Sequence, residues 1–86
     1  MKNIKFWIEQ NIEEKILHKH GIKMGELKDA LKYGKPRIRK IRDNIYMAVT
    51  YYIRYITLIF EYEKPFGRIT TAYPSDDWQI RVYNKN

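Results

Sequence analysis

Arginine, lysine, tyrosine and histidine are the side chains in this sequence that could carry a reaction, because residues for thiol, metal or paired-carboxylate chemistry are scarce. There is no cysteine, which removes thiolate nucleophiles, thiolate metal clusters and disulfides together. His18 and His20 stand two apart on a helical stretch, about 200° round its axis, so they cannot share a metal ion. The carboxylates do not converge: Glu61 and Glu63 share a strand face, and Asp76 and Asp77 suit the start of a helix. Gly21, Gly25, Gly34 and Gly67 are scattered and form no phosphate-cradling loop. A metal-dependent nuclease, which would want several converging acids, is a poor fit, and no cofactor is expected.

Metal-free cleavage of RNA has different needs. A base must take the proton of a 2′-hydroxyl, an acid must protonate the leaving oxygen, and cations must stabilise charge on the phosphoryl oxygens. Arg54, Arg68, Tyr73 and Tyr83 are the candidates for those roles. Arg54 falls in a turn between two predicted strands, Arg68 opens the next strand, Tyr73 closes it, and Arg81 and Tyr83 lie in the final segment. A purely structural role is the more ordinary one for them, the arginines Arg54 and Arg68 as sheet-edge charges and the tyrosines Tyr73 and Tyr83 as packing aromatics. His20, in Lys19-His20-Gly21-Ile22, occupies the last turn of a helix, where a cationic imidazole favours the negative end of the dipole; capping or packing is its expected role.

Charge narrows the partner. The 86 residues carry 17 Lys and Arg against 10 Asp and Glu, a net +7. Residues 1–43 hold 12 basic and 6 acidic side chains, whereas residues 44–86 hold 5 and 4. Between Lys32 and Arg42 lie Lys32, Lys35, Arg37, Arg39, Lys40 and Arg42 with no acid among them. Such a stripe suits a polyanion, bound through phosphate contacts and counterion release, or it is simply a solvated lysine-rich surface. Lys35, Arg37, Arg39, Lys40 and Arg42, with Arg81, are the candidate RNA-docking residues.

The elements that must position these groups run helices first and strands after. Asn11 with Glu14 has the form of a capping box, Ile8, Ile12, Ile16 and Leu17 fall on one side, and Gly21 suits a left-handed stop; together they predict a helix over about Ile12–His20. A second helix is predicted over Met24–Tyr33, with Leu27, Ala30 and Leu31 apolar and Gly34 ending it. Strands are predicted over Arg37–Ile41, Ile45–Tyr52, Tyr55–Glu63 and Gly67–Tyr73, with turns at Asp43-Asn44 and around Pro65. Ser75 can cap a short terminal helix over about Asp76–Tyr83, though Ile80, Val82 and Tyr83 would also suit a strand. The expected fold is a single α+β domain over residues 1–86, with two N-terminal helices packed on one face of a four-stranded antiparallel sheet and a short C-terminal helix.

Strand alternation assigns the faces. Ile45, Met47, Val49 and Tyr51 oppose Tyr46, Ala48, Thr50 and Tyr52; Ile56, Leu58, Phe60 and Tyr62 oppose Tyr55, Thr57, Ile59 and Glu61. One face is a core. The other carries Tyr, Thr and Arg and suits either base stacking or a partner protein, a second copy of the chain included. Eighty-six residues allow one domain and no deep internal site. No uncharged run approaches the ~20 residues needed to span a bilayer. The N-terminus, Met1-Lys2-Asn3-Ile4-Lys5, leads to Glu9 without an apolar stretch. A soluble, cytoplasmic protein without a membrane partner is expected.

Order and spacing carry one further signal. Trp7-Ile8-Glu9, Asn11-Ile12-Glu13, His18-Lys19-His20-Gly21-Ile22, Glu26-Leu27 and Ala30-Leu31 resemble the opening of BrnT-like toxins of the RelE/ParE superfamily. Tyr46-Met47-Ala48-Val49, Arg54-Tyr55 and Ile69-Thr70-Thr71-Ala72, before a helix ending in Tyr83, resemble that family's strands. The resemblance implies a compact αα-ββββ-α, RelE-like domain that cleaves mRNA, free or ribosome-bound, without metal and is neutralised by a cognate antitoxin. Arg54 matches the basic residue opening the family's third strand. Tyr73 stands where relatives usually carry Arg, Gln79 where many carry Glu, and Lys23 replaces the usual Ser/Thr cap of the second helix. The Arg-to-Tyr change removes a fixed positive charge from the implied phosphate site, although a tyrosine there can stack a base or act as a weak acid. A catalytically silent RNA- or protein-binding module of the same fold is the other function the sequence supports.

Overall fold

The structure, a computed structural model, describes residues 3–85. Its elements are β1 (Lys5–Trp7), α1 (Gln10–His20), α2 (Met24–Tyr33), β2 (Arg37–Arg42), β3 (Ile45–Tyr51), β4 (Tyr55–Glu63), β5 (Phe66–Pro74) and α3 (Asp77–Asn84). They form one five-stranded mixed sheet in the order β1-β5-β4-β3-β2. Strands β2 to β5 make the antiparallel meander expected from their close spacing. The expected four strands become five because Lys5–Trp7 pairs parallel to Phe66–Arg68. Three residues are too few to show a period of two, so alternation gives no sign of this strand. What holds it is tertiary: Phe6 packs edge-on against Phe60, ring centroids 5.0 Å apart, and the Lys5 N–H donates to the Pro65 carbonyl at 2.8 Å. Gly67 permits the approach, since a Cβ there would meet Ile4 Cγ2 at 2.9 Å.

That extra strand also moves the start of α1. The helix begins at Gln10 with Glu9 at the N-cap, and the Glu9 carbonyl accepts the Glu13 N–H at 3.0 Å. The Asn11–Glu14 capping box is therefore not formed; the short β1 delivers the chain into the helix earlier than side-chain capping would. Gly21 ends α1 as expected, at φ 66°, with its N–H on the Leu17 carbonyl. Helix α2 has its expected bounds. Helix α3 forms in preference to a strand, but Asp76 rather than Ser75 caps it, in a capping box closed by Gln79.

The sheet is covered on both faces, which corrects the expectation of helices on one. Ile16, Ile22, Leu27 and Ala30 bury against Ala48, Ile56, Leu58, Phe60, Ile69 and Ala72. On β3 it is thus the Tyr46–Ala48–Thr50 side that shares the main core with β4, in the register Ala48↔Leu58. The opposite side would be open if the helices ended at α2. Instead α3 lies across it, and Met47, Val49, Thr57 and Gln79 are all buried there. The centre of the expected Tyr/Thr platform is a second, smaller core. Because β1 pairs with only the first residues of β5, the rest of that edge has no neighbouring strand, and α1 packs along it. At the far edge β2 is exposed at every residue except Ile38, with a bulge between Lys40 and Arg42. No helix among the described residues is long and apolar enough to cross a membrane.

One glycine locks the α2, β3 and α3 junction. Gly34 has an ordinary φ of −88°, so it is needed for space and not for backbone freedom. A Cβ there would run into Thr50 Oγ1 and sit 2.6 Å from the Tyr51 carbonyl oxygen. The Gly34 carbonyl also accepts the Tyr83 hydroxyl at 2.6 Å. Gly34→Ala must push β3 from α2 and is expected to cost about 2 kcal/mol, the middle of the overpacking range. Thermal unfolding should then show a fall in Tm of roughly 10 °C for a domain of this size. An unchanged Tm would contradict the packing described.

Candidate functional site

The site is built around a buried carboxamide. Gln79, 1% exposed, points from the first turn of α3 into the smaller core. Its Oε1 accepts the Asp76 backbone N–H at 2.8 Å and the Thr57 hydroxyl at 3.0 Å. A backbone N–H can only donate, so the atom facing it must be oxygen, and the amide orientation is fixed. Nε2 therefore faces the other way, donating to the Tyr73 hydroxyl at 2.8 Å and to Met47 sulfur at 3.7 Å. All four hydrogen-bonding positions are used. Thr57 in turn lies 2.7 Å from the Ser75 hydroxyl; since its own proton goes to Gln79, Ser75 is the donor.

Tyr73 is half-buried at the end of β5, opposite Thr57 on β4. Beside it stands His20, the last residue of α1, with ring centroids 6.0 Å apart and planes tilted by 47°. Arg54 reaches the same place from the β3–β4 turn. Its Nη2 donates to the Gly21 carbonyl at 3.1 Å, one residue beyond His20. Its Nε and Nη2 also grip Glu26 of α2, the Nε–Oε2 distance being 2.7 Å. The hydrogen bonds donated to Glu26, more than its charge, raise the Arg54 pKa further above its already high ordinary value, against a smaller lowering by burial. The guanidinium is thus a fixed cation at all accessible pH. Beside His20, Lys15, Lys19, Thr70 and Thr71 line a shallow groove between α1 and β5.

Towards the other edge an aromatic row continues the same end of the sheet. Tyr51 packs on Tyr55 at 4.6 Å between centroids, Tyr55 on Tyr83 at 5.7 Å, and the Arg37 guanidinium lies 5.9 Å over the Tyr83 ring. Tyr83 is thus a packing residue whose hydroxyl is committed to Gly34.

The sequence candidates divide accordingly. Arg54 and Tyr73 lie at the same end of the sheet, Arg54 on the Gly21 carbonyl and Tyr73 against the neighbouring His20 ring. Arg68 does not join them: it opens β5, five residues from Tyr73 and so roughly 16 Å away along the strand. There it is held by Glu61, with Glu9 at 3.2 Å, far from the cations that would share a phosphate. The basic stripe is also split, because a strand turns successive side chains to opposite faces. Arg37 and Arg39 lie beside Val82 and Lys85 on the α3 side, whereas Lys40 lies beside Tyr46 on the other. Lys35 and Arg42 are exposed at the two ends of the strand, and Arg81 is exposed on α3. None of these six cations is ion-paired among the described residues, in contrast to Arg54 and Arg68. Among the described residues no group of three or more acidic or histidine side chains is placed to hold a metal.

Two groups of the site escape sequence reasoning. His20 reads as a dipole partner because its helix position is visible in sequence and its β5 neighbour is not. Gln79 reads as a departure from the family pattern, although Asp76 and Gln79 have the spacing of a capping box, and that signal places the amide at the start of α3.

Taken together, the elements form a small α+β fold that has a counterpart among solved structures. The chain superposes on the 1.1 Å crystal structure of the Brucella abortus ribonuclease toxin BrnT with a TM-score of 0.66, at 13% identity, over 86% of this chain and 99% of that one. No protein-family model matches the sequence, and no curated protein matches it.

The Arg54–Glu26 pair is partly solvated, with Arg54 40% and Glu26 23% exposed, so screening limits its value. Glu26→Gln is expected to cost at most about 1 kcal/mol in urea unfolding, with the difference shrinking as salt is added. A loss several times larger would show the pair to be structural rather than electrostatic.

Proposed function

We propose that this protein is the toxin of a type II toxin–antitoxin pair and cleaves RNA, mRNA in particular, without a metal ion. The observation that carries the reading is the gathering of His20, Tyr73 and Arg54 at one end of a BrnT-like sheet, with Arg37 and Arg39, which have no acidic partner among the described residues, on the opposite edge strand three strands from β5. Arg54 supplies a permanent charge for the phosphoryl oxygens, and Tyr73 supplies a hydroxyl already held in place. Arg37, Arg39 and Lys35, with Lys40, Arg42 and Arg81 as more distant charges, draw in the RNA backbone. Tyr51 and Tyr55 offer rings to a splayed base. Arg68 keeps a place only as a structural link between β5, β4 and the start of α1. The same exposed cations suit a cognate antitoxin that presents acidic side chains, and free or ribosome-bound message are both accommodated by a surface site. No helix among the described residues offers a span for a membrane partner.

A second reading has an observation in its favour: both candidate arginines, Arg54 and Arg68, are ion-paired with glutamates. That suits a catalytically silent module of the same fold that holds RNA or protein.

Purified protein should cleave single-stranded RNA in the presence of a chelator, and its expression should arrest growth. Binding to a 2′-deoxy analogue should weaken with salt, each phosphate contact adding about 0.7 to the slope of log K against log salt. Arg37→Ala and Arg39→Ala should each reduce that slope by about 0.7. Salt-sensitive binding without cleavage would select the silent module; no binding at low salt would remove the ribonuclease and RNA-binding readings and leave only a module that holds protein.

A further inference from the structure

The oriented hydrogen bonds around Gln79 have a chemical result. The Tyr73 oxygen accepts from Gln79 Nε2, and no acceptor among the described residues takes the Tyr73 proton. A phenol held in this way directs its O–H away from the buried Gln79 amide, and the His20 ring packs beside the same tyrosine, ring centroids 6.0 Å apart, both residues being half-buried. The geometry points to Tyr73 as the general acid and His20 as the general base of an RNA-cleaving site, with Gln79 as the positioning residue that sets the direction of the tyrosine proton. This rests on the ribonuclease reading and extends it to named roles, two of them for residues that composition and spacing do not single out.

The reaction balances with these groups alone. The His20 imidazole accepts the proton of the ribose 2′-hydroxyl, and the 2′-oxygen forms a bond to phosphorus. The bond from phosphorus to the 5′-oxygen breaks, and that oxygen takes the Tyr73 proton. The products are a 2′,3′-cyclic phosphate and a 5′-hydroxyl; the phenolate regains a proton from water and the imidazolium returns one. Arg54, fixed on the Gly21 carbonyl one residue beyond His20 and paired with Glu26, is the cation held nearest to this site by a hydrogen bond and would offer charge to the phosphoryl oxygens. Lys15 and Lys19 line the groove by which the strand would approach.

Glutamate at position 79 would separate positioning from folding. A carboxylate can still accept from Asp76 N–H and from Thr57, so the capping box is kept, at the cost of the contact to Met47 sulfur. It cannot donate, however, and would accept the Tyr73 proton, turning it inward. Gln79→Glu and Tyr73→Phe are both expected to lower kcat on ordinary RNA about 100-fold or more, with KM nearly unchanged, since general acid catalysis contributes about 10²–10⁴. RNA with sulfur in place of the scissile 5′-oxygen supplies the decisive control, because a thiolate leaves without being protonated. On that substrate both variants should cleave close to the wild-type rate, while His20→Asn stays impaired on both RNAs. Variants that cleave ordinary RNA normally, or that are as slow on the sulfur substrate as on the ordinary one, would overturn the assignment. If Gln79→Glu does not fold, Tyr73→Phe, which removes only a hydroxyl, carries the same test. Wild-type protein inert on both RNAs would instead remove the ribonuclease reading and this site with it, which distinguishes the two failures.

Discussion

A single buried amide joins the terminal helix to the sheet and sets the polarity of the group most able to do chemistry. Gln79 is polar and enclosed, and an unsatisfied amide there would be costly; with both acceptor and both donor positions filled, it becomes a specific fastener. Its partners come from β3, β4, β5 and the turn before α3, so α3 can occupy only one position on the sheet. The same constraint converts an otherwise rotatable phenol into a directed one. Stability and chemistry share these bonds.

Small size explains the rest of the arrangement. A chain of 86 residues has no room for an enclosed catalytic cavity, so any reacting groups must sit at an edge. The edge chosen is the half of β5 that β1 is too short to cover, where α1 packs and brings His20 alongside. The cations sort by environment. Arg54 and Arg68 are held by glutamates, while the arginines on the exposed β2 have no acidic partner among the described residues, Arg37 resting on the Lys85 carbonyl and the Tyr83 ring. One end of the sheet thus combines fixed and available charge with exposed rings.

The parts legible in sequence are those set by local chemistry. Gly21 marks the end of α1, Met24–Tyr33 has the apolar spacing of its helix, and Tyr55–Glu63 has the composition of a strand; each matches the structure. The resemblance to BrnT-like toxins, drawn from short motifs in order, agrees with the fold. What cannot be read is set by contacts between distant residues. The parallel strand Lys5–Trp7 exists because Gly67 leaves room for Ile4 and Phe6, and no three-residue window contains that fact. Alternation divides the residues of β3 correctly but cannot say that α3 will cover Met47 and Val49. For the same reason Arg54, Arg68 and Tyr73 look equivalent on one linear stretch, although the strand between the last two holds them at opposite ends.

The most direct test of where the molecule meets RNA is residue-resolved NMR of the wild-type protein titrated with an uncleavable 2′-deoxy oligonucleotide. Perturbations concentrated at His20, Arg54, Tyr73, Tyr55 and Arg37, with Glu9, Glu61 and Arg68 unaffected, are the expected pattern. Perturbations centred on the Arg68 end, or spread evenly over every lysine, would contradict it.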